Sequence, residues 1–197
     1  GQVALQVRYP DGSMTTELRY ISHSVSTTAG VHRTEVLLKD HVTLMEVKLV
    51  YDAYPKEDVI LAHTEIFNGG KEDVRLMDYA SACLDLVSDK YLLTHFHGDW
   101  AYEMQVDREV LTHDVKLIES HRGVQTTTKK NPSFMVSLST GEFNESRGEV
   151  IAGALAWSGN FRISFEKDQS DRLNIVSGIN PFASAYPLAA GAEFITP

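Results

Sequence analysis

Residues 42–54 read VTLMEVKLVYDAY. Met45, Val47, Leu49 and Tyr51 alternate with Leu44, Glu46 and Lys48. A period of two puts these two sets on opposite faces of an extended chain, so the stretch reads as a half-buried β-strand. The same alternation recurs on either side of it. It runs through 3–9 and 16–25 before this segment, and 59–68 and 74–86 after it. Further on it returns at 91–96, 100–106, 115–121, 133–139, 149–157, 161–167 and 173–178. Turn residues separate these runs: Pro10-Asp11-Gly12, Asn68-Gly69-Gly70, Gly98-Asp99, Asn131-Pro132, Ser158-Gly159-Asn160 and Asn180-Pro181. Asn68-Gly69-Gly70-Lys71, between two long runs, reads as a hairpin. About a dozen strands with frequent turns and no βα alternation predict an all-β fold, a large antiparallel β-sandwich.

The 197 residues are 43% hydrophobic, enough for a real core. No repeat, low-complexity stretch or linker interrupts them, so residues 1–197 read as one domain. The formal net charge of −9 disfavours binding to nucleic acid, which needs clustered lysine and arginine. No apolar stretch is long enough to span a membrane as a helix. Cys83 is the only cysteine. It allows neither an intrachain disulfide nor a cysteine-based zinc site, and its neighbours Ala80, Ala82 and Leu84 suggest a small buried side chain. The chain opens on Gly1, enters a strand almost at once and stops at EFITP, so it reads as a domain cut from a longer polypeptide.

Residues 93–100, LTHFHGDW, contain most of a His-x-His-x-Asp-His zinc signature. On a strand His95 and His97 share a face, which suits two-histidine ligation. Trp100, however, stands where the last histidine belongs, and neither His113 nor His121 sits in a ligand context. The competing reading is a set of polar residues at a sandwich edge, with no metal and no cofactor. Ser158 lies outside any Gly-x-Ser-x-Gly elbow, and no phosphate-binding loop or dinucleotide fingerprint is present. Carboxylate pairs of the kind glycosidases use are too common in this chain to single one out. Trp100, Tyr102, Trp157, Phe161, Phe182 and Tyr186 all lie near turns, where aromatic rings stack on sugars, anchor interfaces or close a core. From the residues alone, a carbohydrate-binding or scaffolding sandwich and a metal hydrolase using His95, His97 and Asp99 both stand as alternatives.

The later segments add a family likeness. Ser120–Gly123 (Ser-x-Arg-Gly), Asn131-Pro132, Gly148-Glu149-Val150, Ser158–Phe161 (Ser-Gly-Asn-Phe), Gly178–Phe182 (Gly-Ile-Asn-Pro-Phe) and Gly191–Pro197 (Gly-x-x-Phe-x-Thr-Pro) occur in order. With GDWAYEMQ at 98–105, they make the chain resemble glycoside hydrolase family 36, the bacterial α-galactosidases. The likeness is to the N-terminal β-supersandwich domain of that family. Thr126-Thr127-Thr128-Lys129-Lys130 departs from the Ser-Ser-His that many members carry before the Asn-Pro turn. The resemblance implies a non-catalytic domain, with no zinc at HFHGDW. The aspartate nucleophile and acid/base of a retaining mechanism would lie in a catalytic barrel beyond Pro197. It implies as partners that barrel in the same polypeptide, other copies in a homo-oligomer, and an α-galactoside substrate for the whole enzyme. Asp99, Trp100, Arg122 and Asn131 are the candidates to face the substrate pocket or an interface.

Overall fold

The computed structural model describes residues 2–123, 129–138, 143–144 and 146–197, so Thr126, Thr127 and Thr128 lie outside the described residues. Fifteen strands occupy the described residues. In chain order they are β1 (Leu5–Arg8), β2 (Arg19–Thr28), β3 (Val31–Lys39), β4 (Met45–Tyr54), β5 (Val59–Asn68), β6 (Val74–Val87), β7 (Leu92–Asp99), β8 (Tyr102–Val110), β9 (Val115–Ser120), β10 (Lys130–Ser137), β11 (Val150–Ala154), β12 (Phe161–Lys167), β13 (Arg172–Ile179), β14 (Tyr186–Leu188) and β15 (Glu193–Ile195). The fold is all-β. The chain divides into two compact units, one of residues 4–82 and 183–197, the other of residues 1–3 and 83–182.

In the first unit a five-stranded sheet runs in the order β15-β5-β4-β3-β2, while β1 and β14 pair with the opening half of β6. The register sets Val47 beside Leu38 and Ile66, and Ile66 beside Phe194. Met45, Val47 and Ile66 are buried, as are Val7, Leu76, Tyr79 and Leu188. The opposite face of the sheet carries cross-strand ion pairs: Lys39–Glu46 at 2.5 Å, Lys48–Glu65 at 2.6 Å and Arg33–Asp52 at 2.6 Å. The alternation read in residues 42–54 divides these two faces from Met45 to Leu49, and Val50, on the ion-paired face, is buried as well.

Four readings are corrected. Asn68-Gly69-Gly70 is not a hairpin, because β5 and β6 belong to different sheets. Neither glycine takes a positive φ. Instead, Asn68 Nδ2 donates to Glu72 O and Leu188 O, and Gly70 N donates to Asn68 Oδ1, which folds the link into a crossover. The tight turn missed in the sequence is Ala29-Gly30, both at positive φ, between β2 and the unforeseen β3. The ten residues of β2 are all exposed, as suits an edge strand, so it is not half-buried. Cys83 is exposed, with Asn174 Nδ2 3.2 Å from its Sγ. Leu86, three residues on, faces the core of the second unit, and an odd separation along a strand puts the cysteine on the other face.

The second unit is a sandwich of two sheets. One follows β6-β13-β12-β9, joined by the closing residues of β6. The other is β11-β10-β7-β8. Leu93, Phe134 and Val136 from the second sheet meet Ile118, Phe161, Ile163, Phe165, Leu173 and Ile175 from the first. Phe134 and Phe165 pack edge to face, ring centres 5.0 Å apart at 85°. Gly153 pairs with Phe134, and a Cβ there would lie 2.4 Å from the ring. Only glycine admits that ring. Gly153→Ala is expected to cost about 1–3 kcal/mol through overpacking, measured as a lower urea midpoint with an unchanged m-value.

Candidate functional site

The β7–β8 hairpin brings several of the candidate residues together. Asp99 pairs with Tyr102 across a tight tip. Gly98 is required there, since a Cβ would fall 2.8 Å from Tyr102 O and from Glu103 Cα. Ala101 and Met104 both take positive φ, at 57° and 56°, a costly conformation for side-chain-bearing residues. The tip is pinned by its own side chains: Trp100 N donates to Asp99 Oδ1 at 2.9 Å, and Ala101 N to Glu103 Oε1 at 3.0 Å. Trp100 is left 88% exposed.

Around this tip, Lys129 Nζ forms an ion pair with Asp99 Oδ2. Asn131 Nδ2 reaches Met104 Sδ at 3.4 Å, and Ser133 Oγ donates to Asn131 Oδ1 at 2.6 Å. The Lys129 ammonium, then the Trp100 N–H, hold the Asp99 carboxyl below its ordinary value, and Arg122 adds a smaller favourable charge. Asp99, Trp100 and Asn131 thus sit on one hairpin and the strand beside it, with Arg122 within electrostatic reach. Tyr102, one of the aromatics noted near turns, joins them, and Lys129 and Met104 are further members of this group that the sequence reading did not select. Only the register of β10 against β7 brings Lys129 and Asn131 here.

β8 has an unusual polarity. Gln105, Asp107 and Glu109 lie opposite His97, His95 and Leu93, hence on the inner face. Tyr102, Met104, Val106 and Val110 point outward and are more than half exposed. This edge strand therefore shows its surroundings an apolar stripe that Arg108 interrupts between Val106 and Val110.

The histidines of HFHGDW are committed elsewhere. His95 is buried, with Nε2 3.0 Å from Glu109 Oε1, and His97 Nδ1 lies 3.0 Å from Asp107 Oδ2. Asp99 is held by Lys129. Among the described residues, no group of three or more His, Cys, Asp or Glu side chains is placed to hold a metal ion.

Three of the ordered motifs meet at one end of the second unit. Asn180 Nδ2 lies within hydrogen-bonding reach of Glu119 Oε2 (3.1 Å), Phe161 O (3.2 Å) and Ser120 O (3.5 Å), and Asn180 Oδ1 accepts from Phe182 N at 2.9 Å. Asn180 N donates to Asn160 O, while Gly123 N donates to Asn160 Oδ1 at 2.6 Å. The rings of His121 and Phe182 stack at 4.3 Å with an angle of 1°.

The family profile described as the glycosyl hydrolase family 36 N-terminal domain matches residues 1–189. The chain belongs to this family. α-Galactosidase AgaA of Geobacillus stearothermophilus is 32% identical over 98% of the chain, and α-galactosidase Mel36A of Lactobacillus acidophilus is 32% identical over 97%. The crystal structure of AgaA superposes on the whole chain with a TM-score of 0.92 at 30% identity, and that of an α-galactosidase from Lactobacillus brevis with 0.91 at 29%. The chain spans 28% of the length of both AgaA and Mel36A, and a little under a third of either crystal chain. Substituted forms of AgaA have been crystallised with stachyose and with raffinose.

In this family 36 N-terminal domain, the Ser-x-Arg-Gly, Ser-Gly-Asn-Phe and Gly-Ile-Asn-Pro-Phe motifs supply one hydrogen-bonded knot. Asn180 is its hub and is only 3% exposed. Asn180→Ala strands the carbonyls and the amide it serves, so a loss of about 1–3 kcal/mol is expected, read by thermal and chemical denaturation. Asn180→Asp, which sets a carboxylate beside Glu119, is expected to be no better tolerated.

Proposed function

We propose that this domain is the non-catalytic N-terminal module of a retaining α-galactosidase that releases terminal galactose from raffinose-type oligosaccharides. The observation that carries the reading is its share of its relatives. Proteins named α-galactosidases match it end to end, yet it corresponds to little more than a quarter of their length. A retaining reaction needs a nucleophile and an acid/base carboxyl about 5–5.5 Å apart. In this reading both lie in a catalytic barrel elsewhere in the polypeptide, and residues 1–197 act as one supporting domain.

The hairpin tip is the part of the domain best suited to reach beyond it. Trp100 offers an exposed ring on a backbone that cannot relax freely. Asp99, Arg122 and Asn131 supply charge and amide groups that bond sugar hydroxyls or polar groups of a neighbour. We assign these four residues to a wall of the substrate pocket or to an interface with the barrel or a second subunit. The apolar stripe of β8 supports the same role, since faces of this kind are covered in assemblies.

The test uses the full polypeptide carrying this domain. Raffinose hydrolysis is expected from it and not from residues 1–197 alone. Specific galactose release by residues 1–197 would overturn the proposal. In the full polypeptide, Trp100→Ala is expected to lower kcat/KM for raffinose about tenfold, or to shift the oligomer's mass in solution. If neither quantity changes, Trp100 belongs to neither wall nor interface.

A further inference from the structure

Two exposed aromatic rings at one end of the second unit are held in place without being covered. Phe182 is 60% exposed, and the His121 ring lies parallel to it, ring centres 4.3 Å apart. That brace is itself held. His121 Nε2 lies 3.3 Å from Glu119 Oε2, and Asn180 Nδ2 lies 3.1 Å from the same oxygen. Phe182 N donates to Asn180 Oδ1, so one asparagine fixes both the ring's backbone and its support. His121 covers one face of the Phe182 ring, and the other face is left to solvent.

Trp157 is set in a similar way. Its Nε1 donates to Asn160 O at 3.1 Å, and the indole lies so close to Gly159 that a Cβ there would fall 2.6 Å from Nε1. The ring is thus backed by backbone, yet it remains 39% exposed. Asn160 O also accepts from Asn180 N at 3.0 Å. A single carbonyl oxygen therefore anchors the Trp157 indole and the turn that carries Phe182.

The surroundings of the two rings are polar. Residues 119–123, 157–160 and 180–182 contain no Val, Leu, Ile or Met. Glu119, Asn160 and the exposed Arg122 flank the rings instead. The core of a protein–protein interface is depleted in charged side chains. Fixed rings with carboxylate, amide and guanidinium groups at their margin suit a ligand with one apolar face and a hydroxylated rim, which describes a pyranose sugar. In galactose the axial O4 leaves C3, C4, C5 and C6 as one continuous apolar face.

We propose that Phe182 and Trp157 form a sugar-stacking surface of this domain, which takes the galactosyl rings of oligosaccharides or galactose-bearing polysaccharides. Phe182 is the main platform, because its free face is the more exposed, and Trp157 supports a neighbouring sugar of the same chain. The choice of galactose rests on the α-galactosidase reading above, whereas the stacking geometry stands on the two rings alone.

Affinity electrophoresis of the full polypeptide in native gels containing guar galactomannan tests this, since that polymer presents many α-galactosyl side groups. Retardation by the polymer is expected. Phe182→Ala and Phe182→Leu are each expected to raise the apparent Kd about tenfold, Trp157→Leu to raise it less, and Phe182→Tyr to retain binding. Mobility in polymer-free gels and melting temperature show which variants are folded. No retardation of the unsubstituted polypeptide overturns the proposal. Retardation that persists undiminished in a folded Phe182→Ala or Phe182→Leu belongs to another part of the polypeptide and overturns it too. Raffinose hydrolysis is measured alongside. Retardation that depends on Phe182 in a polypeptide without hydrolysis supports the stacking surface and removes the enzymatic reading, so the two fail separately.

Discussion

The edge-to-face contact of Phe134 with Phe165 sets the geometry of the unit that carries the candidate site. It holds the two sheets at a fixed spacing, and the neighbouring residues follow from that spacing. Gly153 must lack a side chain because the Phe134 ring fills its place. His95, beside Phe134 on the next strand, is drawn into the interior although its ring is polar. Burial of that ring then calls for Glu109, and Glu109 for Lys116, along the rim where β8 and β9 close the sandwich. A polar rim of this kind closes the side of a sandwich where apolar residues would face water.

Much of the architecture was legible because period two is a local property. Residues 42–54 showed both faces of β4, the apolar one and the ion-paired one. What stayed hidden depended on partners distant in sequence. Asn68-Gly69-Gly70 has the composition of a hairpin turn, but the side chain of Asn68 bonds to Leu188, 120 residues away. β3 was overlooked because His32, Arg33, Thr34 and Glu35 mask its alternation, although β2 and β4 hold it on both sides. β14 and β15 are three residues each, too short for any pattern, and exist through pairing with β6 and β5. Of the candidate site, the Gly-Asp-Trp tip could be read directly. Its setting by Lys129 and Met104 could not, since it comes from cross-strand register.

The zinc-like spelling of HFHGDW has a plain origin. Alternation puts two histidines on the face that Asp107 and Glu109 share from the next strand, so a metal signature and a cross-strand histidine–carboxylate pairing are written alike. The other motifs make a similar point. Their asparagines tie turns together through backbone carbonyls and amides, work that depends on side-chain shape and not on reactivity. Relatives near 30% identity keep the same fold at TM-scores above 0.9.

The order of the chain has a consequence for how it is made. One unit is built almost wholly from the continuous stretch 83–182, whereas the other joins residues 4–82 to 183–197. Thr64 N bonds Thr196 Oγ1, and Thr196 N bonds Thr64 O, across 132 positions. During synthesis, the strands β2 to β5 emerge first but wait for β14 and β15, while the later-made sandwich has nearly all its contacts as soon as β13 clears the ribosome. Of the two units, the one begun earlier is the last to be completed. The five-stranded sheet passes that interval with the Glu65–Phe67 segment of β5 an open edge, ready to pair with another strand.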